Sequence, residues 1–112
     1  MNSEIKSNVI VYEIEENIDD LFSAFFYDDL ISYVDSKYYN YIVDIAPGSR
    51  IGSAGFLVVL LSLSAFCLKN KGVLAVATAN GDLIQLLKKT RLADNIKIFD
   101  TLEKALAKFT KK

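Results

Sequence analysis

Histidine and tryptophan are missing from this 112-residue chain, and cysteine, proline and methionine occur once each. Without histidine there is no side chain that ordinarily exchanges a proton near neutral pH, and no imidazole to hold a metal. A single cysteine, Cys67, supports neither a Cys/His metal cluster nor an intramolecular disulfide. Most hydrolase and metalloenzyme chemistry is therefore not expected, and the lone thiol in an apolar run points to a reducing, cytoplasmic setting. No phosphate-cradling glycine loop is present, so no cofactor is expected. Residues Met1 to Asn8 are polar and carry no apolar signal core, so export is not expected either. Repeats, low-complexity tracts and linkers are absent.

What is there suits one compact domain over residues 1–112: 52% of the side chains are hydrophobic and 24% charged. A chain of this length buries roughly two-thirds of the surface its unfolded form exposes, enough for a core without staples. The net charge of −1 conceals an asymmetry. Residues 1–48 hold ten acids and two bases, a net −8, whereas residues 49–112 hold eleven bases and four acids, a net +7. The plain expectation is that the two halves pack together and neutralise each other. A sharper one is that the acidic stretch from Glu13 to Asp35 steers a basic protein partner. The lysines are spread over several elements without interleaved aromatics, so a nucleic-acid partner is not expected.

The longest uncharged run, Ile51 to Leu68, has eighteen residues between Arg50 and Lys69. As a helix it would span about 27 Å, just short of a hydrocarbon core. Gly52, Ser53 and Gly55 shorten its continuously apolar part, and soluble α/β patterning follows. A helix buried on most sides is expected, and no membrane insertion.

The remaining pattern predicts the order β(β)αβαβαβα, an α/β fold with a mostly parallel sheet of about four to five strands and about four helices. Val9 to Glu15 alternates as a half-buried strand, paired with a short Glu4 to Lys6 strand through a Ser7-Asn8 turn. Asp19 caps a helix over 20–36 with Leu21, Phe25, Phe26, Leu30 and Tyr33 or Val34 as its apolar stripe. Tyr38 to Ala46 is a central strand stopped by Pro47-Gly48. Ser53 caps the next helix, and Asn70-Lys71-Gly72 closes it. Val73 to Ala79 is a strand buried on both faces. Asp82 caps a helix through Lys89, Ile96 to Phe99 is the last strand, and Thr101 caps the terminal helix.

Two families share such an order. Glu15-Glu16, Asp44 with Pro47, and Thr78-Ala79 are similar to features of phosphoacceptor receiver domains. A receiver, however, needs another strand and helix where Ser36 here runs directly into Tyr38, and Pro47 stands one residue too close to Asp44. The better match begins at the strand Tyr41-Ile-Val-Asp-Ile45 and the segment Ile51-Gly-Ser-Ala-Gly-Phe-Leu57. It continues through Leu86-Leu-Lys-Lys-Thr-Arg-Leu92 and Ile96-Lys-Ile-Phe-Asp-Thr-Leu-Glu-Lys-Ala105. In spacing and residue type these resemble the STAS domain, the family of anti-sigma factor antagonists and of sulfate-transporter cytoplasmic domains. Upstream, Ile18-Asp19 falls where that family carries Gly-x-Leu/Ile-Asp, with Glu16 in place of the glycine.

The resemblance implies a non-enzymatic regulator. It would bind an anti-sigma factor that is also a serine kinase, and be phosphorylated by it on Ser53; a phosphatase would reverse the modification. The chemistry suits the place, because a helix N-terminus offers free N–H groups and a positive dipole end to a phosphate. The plainer role of Ser53 is an N-cap. Gly52 stands where the family has its signature Asp, and Ala54 replaces a second hydroxyl residue. Asp19, Gly52, Ala54, Phe56, Leu57 and Asn80 surround this point as candidate partner contacts, with Phe56 and Leu57 expected to be partly exposed on the first turn. Asp44 is expected to be a hydrogen-bonded structural acid, and Ser49 matches no family acceptor. The alternative is an unphosphorylated STAS adaptor of a signalling scaffold or lipid-transport assembly. A small ligand-binding module is the remaining option, and it requires a pocket near Ser53.

Overall fold

The structure, a computed structural model, describes residues 1–91 and 94–110, Thr110 by its backbone alone. Leu92, the last residue of the Leu86–Leu92 stretch, lies outside the described residues. The elements are β1 (Asn2–Lys6), β2 (Val9–Ile14), α1 (Asp20–Asp35), β3 (Asn40–Ile45), α2 (Ala54–Lys69), β4 (Leu74–Thr78), α3 (Gly81–Lys89), β5 (Lys97–Phe99) and α4 (Leu102–Thr110). The sheet has five strands in the order β1-β2-β3-β4-β5 and is parallel except for β1. The expected α/β order and element count are those of the structure.

Strand β1 is longer than expected and pairs with β2 through Ser7 and Asn8, whose φ values of 52° and 65° suit a two-residue hairpin turn that follows the strand twist. From β2 onward each strand pairs parallel to the next, so the chain must return through a helix each time. Helices α1, α2 and α3 therefore run side by side in one direction. They cover one face of the sheet. There Ile10, Tyr12, Tyr41, Val43, Leu74 and Val76 pack against Phe26 and Leu30 of α1, Phe56, Leu60 and Leu63 of α2, and Leu83 and Leu87 of α3. The alternate strand residues, among them Val11, Ile42, Ala75 and Ala77, face α4 through Ala105. Apolar cover on both faces explains why β3 and β4 read as nearly continuous hydrophobic runs. The buried Tyr12 hydroxyl is satisfied by donating to Asp29 Oδ2 at 2.7 Å.

Helix α2 lies between the other two. One groove separates it from α1, with Tyr27, Ile31 and Val34 opposite Val59 and Phe66, and a second, lined by Leu57, Val58, Leu61 and Thr90, lies toward the end of α3. At its C-terminus Lys71 takes φ 62° and the Gly72 amide donates to the Cys67 carbonyl at 2.7 Å, closing the helix as expected. Glycine is required there, since a Cβ on Gly72 would sit 1.9 Å from the Tyr39 carbonyl oxygen.

Four expectations need correction. The inward stripe of α1 is Ser23, Phe26 and Leu30, while Leu21 and Phe25 are 66% and 61% exposed. A helix lying flat on a sheet buries only one narrow side, and those two residues fall outside it. For the same reason α2 is not buried on most sides: Val58, Leu61 and Leu68 are half or more exposed. No helix among the described residues is long and apolar enough to cross a membrane. The cap of α3 is Asn80, whose side chain accepts from the Leu83 amide, and Asp82 sits in the first turn instead. Finally, among the described residues no ion pair joins the acidic and basic halves, because α2 stands between acidic α1 and the lysines of α3. Thr101 does cap α4, accepting from the Lys104 amide at 3.2 Å.

Candidate partner-binding site

The loops that precede α1, α2 and α3 meet at one end of the sheet. Ile18 and Ile51 form an isolated parallel bridge, with the Ile18 amide donating to the Arg50 carbonyl at 2.7 Å and the Gly52 amide to the Ile18 carbonyl at 2.8 Å. The Arg50 amide donates to Asn17 Oδ1 at 3.0 Å. On the far side Asn80 Nδ2 donates to the Ser49 carbonyl at 2.9 Å. These bonds hold the three helix N-termini at one level. Each is capped by its own side chain: Asp19 accepts from the Phe22 amide, Ser53 from the Phe56 amide and Asn80 from the Leu83 amide.

Ser53 is 5% exposed. Its Oγ accepts from the Phe56 amide at 3.3 Å and lies 2.9 Å from the Ser23 hydroxyl, which also lies 2.9 Å from the Asp19 carbonyl oxygen. Ser23 thus links the Asp19 carbonyl to the Ser53 hydroxyl. Ser23 was not singled out in the sequence, although a serine on the inward stripe with Phe26 and Leu30 is a signal, since a buried hydroxyl requires a partner. The neighbours of Ser53 in the chain, Gly52 and Ala54, are exposed, as is Asp19; Asn80 and Leu57 are half-buried. Phe56 departs from expectation. It is fully buried and its ring lies 5.4 Å from that of Phe26, so it belongs to the core between α1 and α2 and offers nothing to a partner. Phe56 stands three residues beyond the buried Ser53 cap and so shares its inward face.

Gly52 is not dictated by the backbone. Its φ is not positive, and a Cβ there would meet only the Ile18 carbonyl oxygen, at an ordinary 3.7 Å. Ser49 has its hydroxyl buried without a partner among the described residues. Asp44 is paired in register with Glu13 and has no hydrogen bond to a described side chain, contrary to expectation. Burial raises its carboxyl pKa above the usual range, and the charges of Glu13 and Glu15 add to the effect. No group of described acids or thiols is placed to hold a metal ion.

From this capped end α2 presents an outward stripe of Ala54, Val58, Leu61, Ala65 and Leu68, all exposed and all uncharged.

A family model for the STAS domain matches residues 1–105. The chain belongs to that family. The STAS fold is seen also in solved structures. The crystal structure of TM1081, a candidate anti-sigma factor antagonist from Thermotoga maritima, aligns with a TM-score of 0.82 at 16% identity, covering 96% of this chain and 92% of that one. The NMR structure of TM1081 aligns with a TM-score of 0.75 at 16% identity, covering 98% and 88%. At that identity the likeness is one of fold. A comparison with curated proteins finds no significant match. Ser53 caps the helix α2 that follows strand β3, and Gly52 precedes it.

Proposed function

We propose that this STAS domain, acting as one unit in the cytoplasm, is a partner-switching regulator of the anti-sigma factor antagonist kind and not an enzyme. It would bind an anti-sigma factor that is also a serine kinase, through the exposed stripe of α2 and the loops around its N-terminus. The observation that carries this reading is the run Ala54, Val58, Leu61 of uncharged outward residues starting directly at the Ser53 cap. A modification at Ser53 would therefore act on the edge of the docking surface itself. The description of TM1081, which shares the fold, supports the same class of role.

The switch would be charge. The kinase would transfer the γ-phosphoryl group of ATP to Ser53 Oγ, forming the O–P bond, releasing ADP and passing the hydroxyl proton to a base of the kinase. Ser53 must first leave its bonds to Ser23 and to the Phe56 amide, since its Oγ is buried. The phosphate would then accept from the free amides of the first turn of α2, adding nearly two negative charges at the edge of an apolar contact. Asp19, Gly52, Ala54, Leu57 and Asn80 would form the rim.

A second reading is favoured by one observation: the buried, doubly bonded Ser53 hydroxyl beside Gly52 is a good cap and a poor acceptor. Under that reading the domain is an unphosphorylated adaptor using the same face. Capture from native lysate with wild type, Ser53→Glu and Val58→Asp separates the two, with partners and phosphosites read by mass spectrometry. The switch requires a serine kinase held by wild type, lost by both variants, and phosphate on Ser53. Equal capture by wild type and Ser53→Glu with no phosphate on Ser53 leaves the adaptor.

A further inference from the structure

The helix layer has a graded surface. On α1 the exposed charges are the acids Asp20, Asp28 and Asp35, beside the exposed apolar Leu21, Phe25 and Tyr27; on α2 the outward stripe is apolar; on α3 the exposed acid Asp82 stands in the first turn, and Lys88, Lys89 and Arg91, at the far end and just past it, are basic and exposed. Asp28, Lys88 and Lys89 form no ion pair with a described residue, although they belong to one chain with nearly balanced charge. The acids and bases cannot meet within the molecule, because α2 separates them.

They can meet between two molecules. We infer that this face binds a second copy of the chain, α2 against α2, about a two-fold axis parallel to the helices. The pattern selects that axis. A two-fold axis along α2 leaves the direction of the helices unchanged and exchanges left with right, so α1 of each copy faces α3 of the other. An axis lying across the helices would put α1 on α1, acid on acid. The levels also match. The three N-termini are held together by the Ser23–Ser53 contact and the Asn80–Ser49 bond. Counted from their caps Asp19, Ser53 and Asn80 at 1.5 Å per residue, Asp28 lies about 13.5 Å along α1, and Leu61 and Lys88 about 12 Å along α2 and α3. Leu61 then meets its own counterpart at the axis, with an Asp28–Lys88 pair on either side. A closed dimer of this kind has a self-complementary patch, apolar at its centre and charged at its rim.

The inference goes beyond the partner-switching reading, since it needs neither phosphate nor a second protein; a partner that docks on α2 would have to displace the second copy. The test uses the purified full chain alone, in sedimentation over a concentration series. Wild type is expected to approach twice its 12.5 kDa mass and to dissociate as salt is raised. Leu61→Lys, at a half-exposed position, is expected to stay folded by circular dichroism and to remain monomeric. Asp28→Lys alone and the pair Lys88→Glu, Lys89→Glu alone are each expected to weaken association about tenfold, by placing like charges opposite each other. Mixing these two variants is expected to restore it, because in the mixed dimer both rims are again opposite in sign. Wild type that stays monomeric at every concentration overturns the inference. So does a dimer that survives Leu61→Lys, or one that the mixture fails to restore. A failure here leaves the partner reading standing, because no partner is present in the experiment.

Discussion

The hydroxyls of Ser23 and Ser53 lie 2.9 Å apart and join the first turn of α1 to the cap of α2. The same Ser23 oxygen reaches the carbonyl of Asp19, the cap of α1, so two helix starts share one buried polar contact. A phosphate on Ser53 would break this contact as well as add charge. The position of α1 relative to α2 is thereby linked to the state of the candidate acceptor.

That contact sets a first prediction. Ser53→Ala removes an N-cap and is expected to cost about 1 kcal/mol. Ser23→Ala is expected to cost about the same, as the loss of one buried hydrogen bond. Because each substitution already breaks the shared bond, the double variant should be less destabilised than the sum by about 0.5 kcal/mol or more. Urea denaturation of the four proteins measures this, and strict additivity contradicts the shared contact.

Gly52→Asp should be accepted. The backbone there needs no glycine and a Cβ has room. Replacing glycine lowers the entropy of the unfolded chain, and the carboxylate sits beside a helix N-terminus, so a gain of about 0.5 to 1 kcal/mol is expected. Thermal denaturation checks it. If Gly52 is what holds back modification of Ser53, this variant also gains phosphate from the kinase more readily than wild type does.

Gly72→Ala should do the opposite. The methyl group would overlap the Tyr39 carbonyl, a backbone atom that moves only with β3. A loss of about 2 kcal/mol or more is expected, with the midpoint of urea denaturation falling accordingly. A neutral substitution would mean that the chain passes between α2 and β4 by another route.

Asp44 gives a pH dependence. Its carboxyl pKa is raised in the folded state by burial and by the nearby charges of Glu13 and Glu15. A raised value means that the folded state prefers the protonated form. Any stability this group provides is present at acid pH, below its unfolded value, and is lost as pH rises through the folded one. Asp44→Asn is therefore expected to stabilise the protein at neutral pH, by less than about 1 kcal/mol, and to have no effect once pH falls below the usual carboxylate range. A gain of equal size at both pH values would show that charge is not its cause.

Much of the fold was legible in the sequence because its signals are local. Asp19, Ser53 and Thr101 stand at helix starts as caps, Ser7-Asn8 at a hairpin, and Asn70-Lys71-Gly72 at a helix end, each governed by backbone geometry within a few residues. Orientation was less legible. Phe25 and Phe26 are adjacent and chemically identical, and only the packing of α1 on the sheet decides that Phe26 goes inside. The same holds for Phe56, which an exposed first turn would have offered to a partner. The charge asymmetry was visible, but its meaning depended on topology. With α2 placed between α1 and α3, opposite charges that could have neutralised each other lie on opposite flanks. Of the candidate site, Ser53 is legible from its motif, whereas Ser23 is legible only as an inward hydroxyl in need of a partner, since that partner stands thirty residues away.

The measurement that bears most directly on the central claim is the affinity of the captured kinase for this chain with and without phosphate on Ser53, the phosphoserine being installed during synthesis. Binding about a hundredfold weaker is expected for the phosphorylated chain, because a charge is forced against an apolar docking surface. Equal affinities would contradict it, and would make Ser53 a helix cap and nothing more.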